Sequence, residues 1–390
     1  MKGIIKNILN EVLGVPDGVL ESAERLYKMC FSRIGKITDP ILNGSDEEEY
    51  KFIIRSNFKI SDYTFTKINL TINFIETDQV DTVELFSMGF GHHSSFDDDS
   101  LRLVTIISPN EVKISIKFAI TETAKISDVI ELCKRSKDVM TASLAHELKH
   151  AYDHYKKPVQ SIPQISRYHG VQKTSFPIKP INDFLHYLYF VHGIENLVRP
   201  TEFSSLMKSG KVNKKDFYDF LTNSKMYTMM RDINNFTYEG LKSELKDYIS
   251  EIDGVLNRIT NETFNTDEEK IDEILRVVYV NLVNNTLNTT KSIMVNNFFE
   301  EFMGFQGEKD ELFRKIANYV IRFENNEKNF YLYEEKKFKH ISGIMMKKLS
   351  KLYSMAKDEK SSIKNWDLHH KINRTNENIE SEYNFKRRGR

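Results

Sequence analysis

The chain has 390 residues, with 56 Lys and Arg against 56 Asp and Glu, so its formal net charge is zero. A balanced charge argues against a protein whose main task is to coat nucleic acid, because that task needs a summed positive field. Only two cysteines are present, Cys30 and Cys133. This excludes a disulfide-stapled scaffold and a zinc site with four thiolate ligands.

The first 120 residues predict helices followed by strands. Residues 1–35 carry apolar stripes at helical spacing, interrupted by the breakers at 14–18. Residues 50–60 and 63–75 are β-branched and aromatic, which is typical of strands. A hairpin is predicted from two strands that flank Pro109-Asn110, at 101–108 and 112–120. The acidic run at 46–49 and the stretch at 89–99 are interpreted as solvent-exposed loops.

The rest of the chain predicts helices. A helix is expected over residues 126–157, then a rigid proline-rich loop over 158–180 and a second helix over 181–198. Amphipathic segments continue over 211–356. Residues 357–390 are polar and end in a basic cluster, so we expect a disordered tail there. The fold class predicted by this order is α+β, with an all-α C-terminal extension.

One motif carries chemistry, the H-E-x-x-H pentapeptide at residues 146–150. His146 and His150 lie one above the other on a helix face, about 6 Å apart along the axis. Two imidazoles so placed can converge on one Zn²⁺ ion at about 2.0–2.1 Å. Glu147 can reach a metal-bound water, whose pKa the ion lowers, and take its proton as general base.

The third metal ligand must come from elsewhere in the chain. His154 continues the spacing of four residues. However, three side chains over eight residues span about 12 Å along an intact helix, so they cannot all contact one ion. A carboxylate from a downstream helix remains, and the sequence offers Glu195 and Glu202. Glu195 ends an aromatic segment where a buried carboxylate needs a cation, and Arg199 could orient it. A glutamate at position 202 can be explained without a metal, because a carboxylate in the first turn of a helix is stabilised by the helix dipole. We favour Glu195.

The stretch 143–154, together with the Glu195-to-Arg199 segment, resembles the zincin metallopeptidases of the gluzincin type. In that family a glutamate on a downstream helix is the third ligand. It is also similar to H-E-x-x-H proteins of large tailed bacteriophages, in which a Glu-x-x-Ala-Arg segment often follows an aromatic run. Val198 stands where that pattern has a small residue. The segments 13–17 and 23–27 are also similar, so the resemblance covers about residues 10–206.

The resemblance implies a zincin-like metallopeptidase domain over 1–210, an α-helical domain over 211–356 and the tail over 357–390. The implied activity is zinc-dependent hydrolysis of a protein or peptide substrate, with the edge strand of the sheet pairing with that substrate. The alternative is a non-enzymatic structural or interaction protein, such as a component of a virus particle, with a metal-stabilised fold. The helical region is expected to be able to bind a protein partner.

Three further expectations concern localisation and accessory residues. The N-terminal segment lacks the pattern of a secretion signal, and no window approaches 18 uninterrupted apolar residues. We therefore expect no membrane partner and a cytoplasmic protein, or one in the host cytoplasm or virion if the chain is viral. The basic tail is interpreted as a solvated terminus rather than a nucleic-acid binding segment. Hydrolysis also needs a group that stabilises the negative charge developing on the carbonyl oxygen of the substrate. The sequence does not decide among four candidates for this role, which are His154, Tyr168, His169 and His192.

Overall fold

The computed structural model divides the chain into two compact units. The first contains residues 1–159 and 198–213, and the second contains 160–197 and 214–390. Both strands and helices are present, so the chain is of the mixed α+β class. The residues whose structure is described are 14–39, 41–42, 44–91, 95–97, 102–104, 111–156, 162–192, 199–206, 217–295 and 309–356. The tail predicted at 357–390 lies outside them.

The described residues form helices and strands, which are numbered in chain order. They are α1 (Val19–Ile34), β1 (Glu47–Ile60), β2 (Tyr63–Glu76), β3 (Val83–Gly91), β4 (Ser95–Asp97), β5 (Arg102–Val104), β6 (Glu111–Ile120), α2 (Ile126–Arg135), α3 (Lys137–Lys156), α4 (Ile162–Gln172), α5 (Lys179–Phe190), α6 (199–206), α7 (Phe217–Thr222), α8 (Lys225–Asn235), α9 (Tyr238–Leu245), α10 (Ile249–Ile259), α11 (Asp267–Val295), α12 (Lys309–Val320) and α13 (Glu327–Ala356).

The main sheet of the first unit has four strands in the order β1-β2-β6-β3. β1 is antiparallel to β2, β2 is parallel to β6, and β6 is antiparallel to β3. Within the described residues, β1 and β3 are therefore the edge strands. Strands β4 and β5 pair with each other in a separate two-stranded ribbon.

One face of this sheet forms the core of the first unit. Because side chains alternate along a strand, every second residue of β2 and β6 points to the same face. The register places these residues side by side, and each is at most 1% exposed. At one end the Phe74 and Phe118 rings stack with centroids 5.5 Å apart. The paired core residues are Ile68 with Val112, Leu70 with Ile114, Ile72 with Ile116 and Phe74 with Phe118.

The predicted strands at 50–60 and 63–75 are confirmed, but their surroundings differ from the prediction. The hairpin of 101–108 with 112–120 is wrong, because both sides of β6 are taken by β2 and β3 while β5 pairs with β4. The acidic run at 46–49 is not a loop, since Glu47 begins β1 and its Oε1 accepts a hydrogen bond from Asn73 Nδ2 at 3.3 Å. An exposed edge strand tolerates such charges.

Helix α1 begins at a glycine that no other residue replaces without strain. Gly18 has φ of 79°, and a Cβ at this position would collide with the carbonyl oxygen of Lys59 in β1. The contact brings the start of α1 onto the sheet, and the Ser22 hydroxyl donates to the same carbonyl at 3.1 Å. The far side of α1 packs against α3, so this glycine helps to fix the position of the H-E-x-x-H helix.

The second unit is helical, and it begins earlier than the sequence predicts. Residues 162–172 form helix α4 rather than a loop, because Pro163 occupies its first turn, where the missing N–H has no intrahelical partner to lose. α4 packs along α11, so residues 160–197 group with the helical unit instead of with the predicted 1–210 domain. α5 ends at Phe190, short of the predicted 198.

The described helices differ from membrane-spanning helices. None of them combines sufficient length with sufficient apolar character to cross a bilayer.

Candidate metal centre

Helix α3 carries the H-E-x-x-H motif through the interior of the first unit. Its apolar residues Met140, Leu144, Leu148 and Ala151 are buried, whereas Val139 is 54% exposed. The motif residues do not face open solvent. His146 is 6% exposed and Glu147 is 8% exposed. A buried polar face on this helix indicates a specific task, since burying such groups costs free energy unless they are satisfied.

The two histidines of the motif meet through the same ring nitrogen. His146 Nε2 and His150 Nε2 are 3.0 Å apart, and the two ring centroids are 4.7 Å apart at an interplanar angle of 78°. The spacing of four residues along a helix produces this convergence, because it places both Cβ atoms on one face. Both nitrogens therefore point towards a single small volume.

This geometry fits a shared metal ion. Two imidazole nitrogens at about 2.0–2.1 Å from one tetrahedral Zn²⁺ are about 3.3 Å apart. The observed separation of 3.0 Å is close to that value. Neutral imidazole is also among the preferred zinc ligands. His146 and His150 could accordingly hold Zn²⁺ with a small outward movement of the rings.

A carboxylate from α6 reaches the site in the folded chain. Glu202 Oε2 lies 3.6 Å from His146 Nδ1 and 2.9 Å from Arg199 Nη1. The three side chains are largely buried, with exposed fractions of 7% for His146, 16% for Arg199 and 23% for Glu202. The predicted pairing of Arg199 with Glu195 involves a residue outside the described set and stays a prediction. Among the described residues Arg199 pairs with Glu202, at the i, i+3 spacing of a helix.

The atoms involved suggest what Glu202 does. It faces the Nδ1 atom of His146, whereas the Nε2 atom of that ring faces His150. The two nitrogens of an imidazole point in diverging directions, so a carboxylate beside Nδ1 lies away from the volume where the Nε2 atoms converge. A metal-ligating histidine commonly donates its other N–H to such a carboxylate. The 3.6 Å separation is longer than a hydrogen bond, so Glu202 would orient His146 in this way only after a small approach of the two side chains.

A second ion pair lies on α3 itself. Lys149, which sits between the two histidines in sequence and is buried, forms a short hydrogen-bonded ion pair with Asp153. The opposite charges of Lys149 and Asp153 cancel, and so do those of Arg199 and Glu202.

The predicted third ligand, Glu195, lies outside the described residues. Within the described ranges no group of three His, Cys, Asp or Glu side chains is arranged to hold a metal ion. The described part of the site consequently supplies two converging imidazoles, and the assignment of the third ligand stays a prediction. His154 lies on α3, but its side chain is also outside the described set.

The sheet presents an edge strand to the motif helix. α3 packs against β3, which is antiparallel to its neighbour β6 and forms one edge of the described sheet. An edge strand offers unpaired backbone N–H and C=O groups that can pair with an extended chain. The strand predicted at 112–120 is β6, which lies in the interior of the sheet.

The other candidate residues have different environments. Tyr168, His169 and His192 belong to the second unit, where the Tyr168 and His192 ring centroids are 5.3 Å apart. Burial lowers the pKa of His169 to about 4, so its imidazole is neutral at neutral pH. Burial also raises the pKa of Cys30 and of Cys133 to about 12. Neither thiol is therefore a thiolate ligand or nucleophile at neutral pH.

Comparison with known proteins gives no match, whether the chain is tested against protein-family models, curated proteins or solved structures. The functional argument accordingly depends on the geometry of the site.

Proposed function

We propose that this protein is a zinc-dependent peptidase with a zincin-like, gluzincin-type arrangement in its first unit. The observation that carries the proposal is the 3.0 Å approach of His146 Nε2 to His150 Nε2 on a buried helix face that also holds Glu147. His146, His150 and Glu195 are the proposed zinc ligands. Zn²⁺ bound there would act as a Lewis acid and lower the pKa of a coordinated water.

The chain's own groups then divide the remaining work. Glu147 accepts the proton of the attacking water while the water oxygen forms its bond to the peptide carbonyl carbon. As the C–N bond breaks, the same carboxyl group returns that proton to the leaving amide nitrogen. Glu202, held by Arg199, keeps the His146 ring in the orientation that directs Nε2 towards His150.

The mixed sheet supports a peptide as the substrate class. β3 is an edge strand beside the motif helix, and an extended peptide can add to such an edge through main-chain hydrogen bonds. The substrate would lie along β3 with one of its peptide bonds near the paired histidines. Side-chain preferences of the enzyme would then be secondary to the extended conformation of the substrate.

The direct test is the Glu147→Gln variant. Glutamine preserves shape and cannot accept the proton, so we expect zinc content to stay at the wild-type level and hydrolysis of an unfolded protein such as reduced casein to fall by at least 10²-fold. Glu131→Gln is the control, since Glu131 lies on α2 with a 62% exposed side chain. A Glu147→Gln protein with wild-type activity would refute the general-base assignment.

A non-enzymatic role is the second candidate. It is favoured by the size of the helical unit, which has its own core around large side chains such as Phe184, Tyr331 and Phe338, each at most 1% exposed. In this case zinc would stabilise the first unit while the helices bind a protein partner. Stoichiometric zinc combined with no cleavage across a broad peptide library would support this role against the peptidase.

A further inference from the structure

A small cavity lies inside the second unit, among α4, α5, α11, α12 and α13. It offers about 50 Å³ to the centres of water-sized groups, several times the roughly 10–15 Å³ that one water needs. Most of its wall is apolar, and charged groups enter at a few places. The apolar lining includes Val171, Leu188, Leu282, Val283, Val320 and Phe330.

The lining contains one buried carboxylate, Glu334, which contacts the lining residue Arg167 and also Lys337, a residue outside the lining. Glu334 is 0% exposed, and its Oε1 accepts a short hydrogen bond from Arg167 Nη2. Lys337 Nζ lies 3.8 Å from the other oxygen, Oε2, which has no hydrogen-bond partner among the described residues. Burial, and then repulsion from Arg167, lower the pKa of Lys337. One buried carboxylate is thus shared by two cations.

Arg322 is the second arginine of the cavity lining, and it is exposed to solvent on its other side. The guanidinium carbon of Arg322 lies 4.4 Å from the centroid of the Tyr319 ring, 4.5 Å from that of Phe323 and 4.3 Å from that of Tyr333. Three aromatic rings around one guanidinium restrict its rotamers, so little side-chain entropy is left to lose when it binds a ligand. The planar fork of arginine matches a carboxylate in two hydrogen bonds.

The cation surplus and the apolar wall define a ligand class. Among the lining residues, Arg167 and Arg322 carry two positive charges against the single negative charge of Glu334. An anion would balance this surplus, and a short hydrocarbon chain would fill the apolar part of the cavity. We propose that the helical unit has a binding site for a small organic carboxylate, with the carboxylate on Arg322 and the alkyl chain against Leu188, Leu282 and Phe330. The site is independent of the proposed peptidase centre.

The test is isothermal titration of the full-length protein at low ionic strength with butyrate, butyramide and inorganic phosphate. We expect one butyrate site per chain and no detectable heat from butyramide, which has the same shape without the charge. Arg322→Gln should weaken butyrate binding at least tenfold, and Val283→Phe, which places a ring in the cavity, should abolish it. Arg276→Gln is the matched control, because Arg276 pairs with Glu273 on α11 and does not line this cavity.

Several results would overturn the proposal. No butyrate binding by the folded wild-type protein would do so, as would equal binding of butyrate and butyramide. Binding of phosphate without butyrate would contradict the organic carboxylate. An equal loss of affinity in Arg322→Gln and Arg276→Gln would show that general charge, and not the cavity, attracts the anion. Circular dichroism of each variant establishes that it is folded, and Arg322→Gln alone decides the matter if Val283→Phe does not fold.

Discussion

His146 and His150 meet through their Nε2 atoms at 3.0 Å on a helix that is buried along this face. Such an approach is not needed to pack a helix, because apolar side chains would fill the same space at lower cost. It does provide two ligand atoms aimed at one point. The burial of Glu147 beside them adds a carboxylate that could act as a base. The account of this protein as a metal enzyme depends on this relationship.

The two downstream glutamates should differ in their effect on zinc binding. We expect Glu195→Ala to lose most of the bound zinc, because it removes a proposed ligand. Glu202→Ala should retain zinc with affinity reduced about 10–100-fold, since it removes only the group that orients His146. Competition with a chelator measures both affinities, with Glu131→Ala as control. If Glu202→Ala loses zinc and Glu195→Ala keeps it, the ligand assignment must be exchanged.

The close packing of α4 on α11 predicts a steric cost at Gly170. A Cβ there would overlap the Thr286 hydroxyl and lie 3.0 Å from Thr286 Cα. We expect Gly170→Ala to lower the free energy of unfolding of the helical unit by about 1–3 kcal/mol, as overpacking does. Urea denaturation followed by circular dichroism is the measurement.

Gly254 provides the matched control for this prediction. It lies within α10, and apart from its chain neighbours and the nearby backbone of its own helix no atom would be within 4 Å of an added Cβ. Since alanine favours helix over glycine by up to about 1 kcal/mol, Gly254→Ala should stabilise the protein slightly. Stabilisation by both substitutions would show that α4 and α11 are not packed as described.

The two cysteines should be unreactive in the folded protein. Burial raises the pKa of each thiol from 9.0 to about 12, which lowers the thiolate fraction about a thousandfold near neutral pH. We expect iodoacetamide at pH 8 to label Cys30 and Cys133 only after denaturation, as read by mass spectrometry. Labelling of the native protein at the rate of the unfolded chain would contradict the burial of these residues.

The same pKa shift predicts how stability changes with pH. The folded state retains its thiol protons up to a higher pH than the unfolded state. The contribution of the two thiols to the free energy of unfolding is therefore fully present below pH 9 and is lost as pH rises towards 12. Replacing both cysteines with alanine should therefore flatten the fall in unfolding free energy between these values. An unchanged slope in the double variant would indicate that other groups dominate this pH range.

The sequence was informative where one local pattern decides the structure. β-Branched and aromatic residues predicted β1 and β2, and the spacing of four predicted the paired histidines. The sequence was less informative where contacts between residues far apart in the chain decide the structure. β3 contains two glycines and was taken in part for a loop, and its pairing with β6 depends on a partner outside any local window. The approach of Glu202 to His146 likewise appears only when α6 is brought to α3.

The central claim is that His146 and His150 bind one zinc ion, and elemental analysis of the purified protein tests it most directly. We predict one zinc per chain in the wild type, loss of that zinc in His146→Ala and in His150→Ala, and wild-type zinc content in the control His340→Ala, which alters a histidine of α13. Wild-type protein that stays folded and free of zinc after incubation with Zn²⁺ and gel filtration would contradict the account, as would equal zinc content in all three variants.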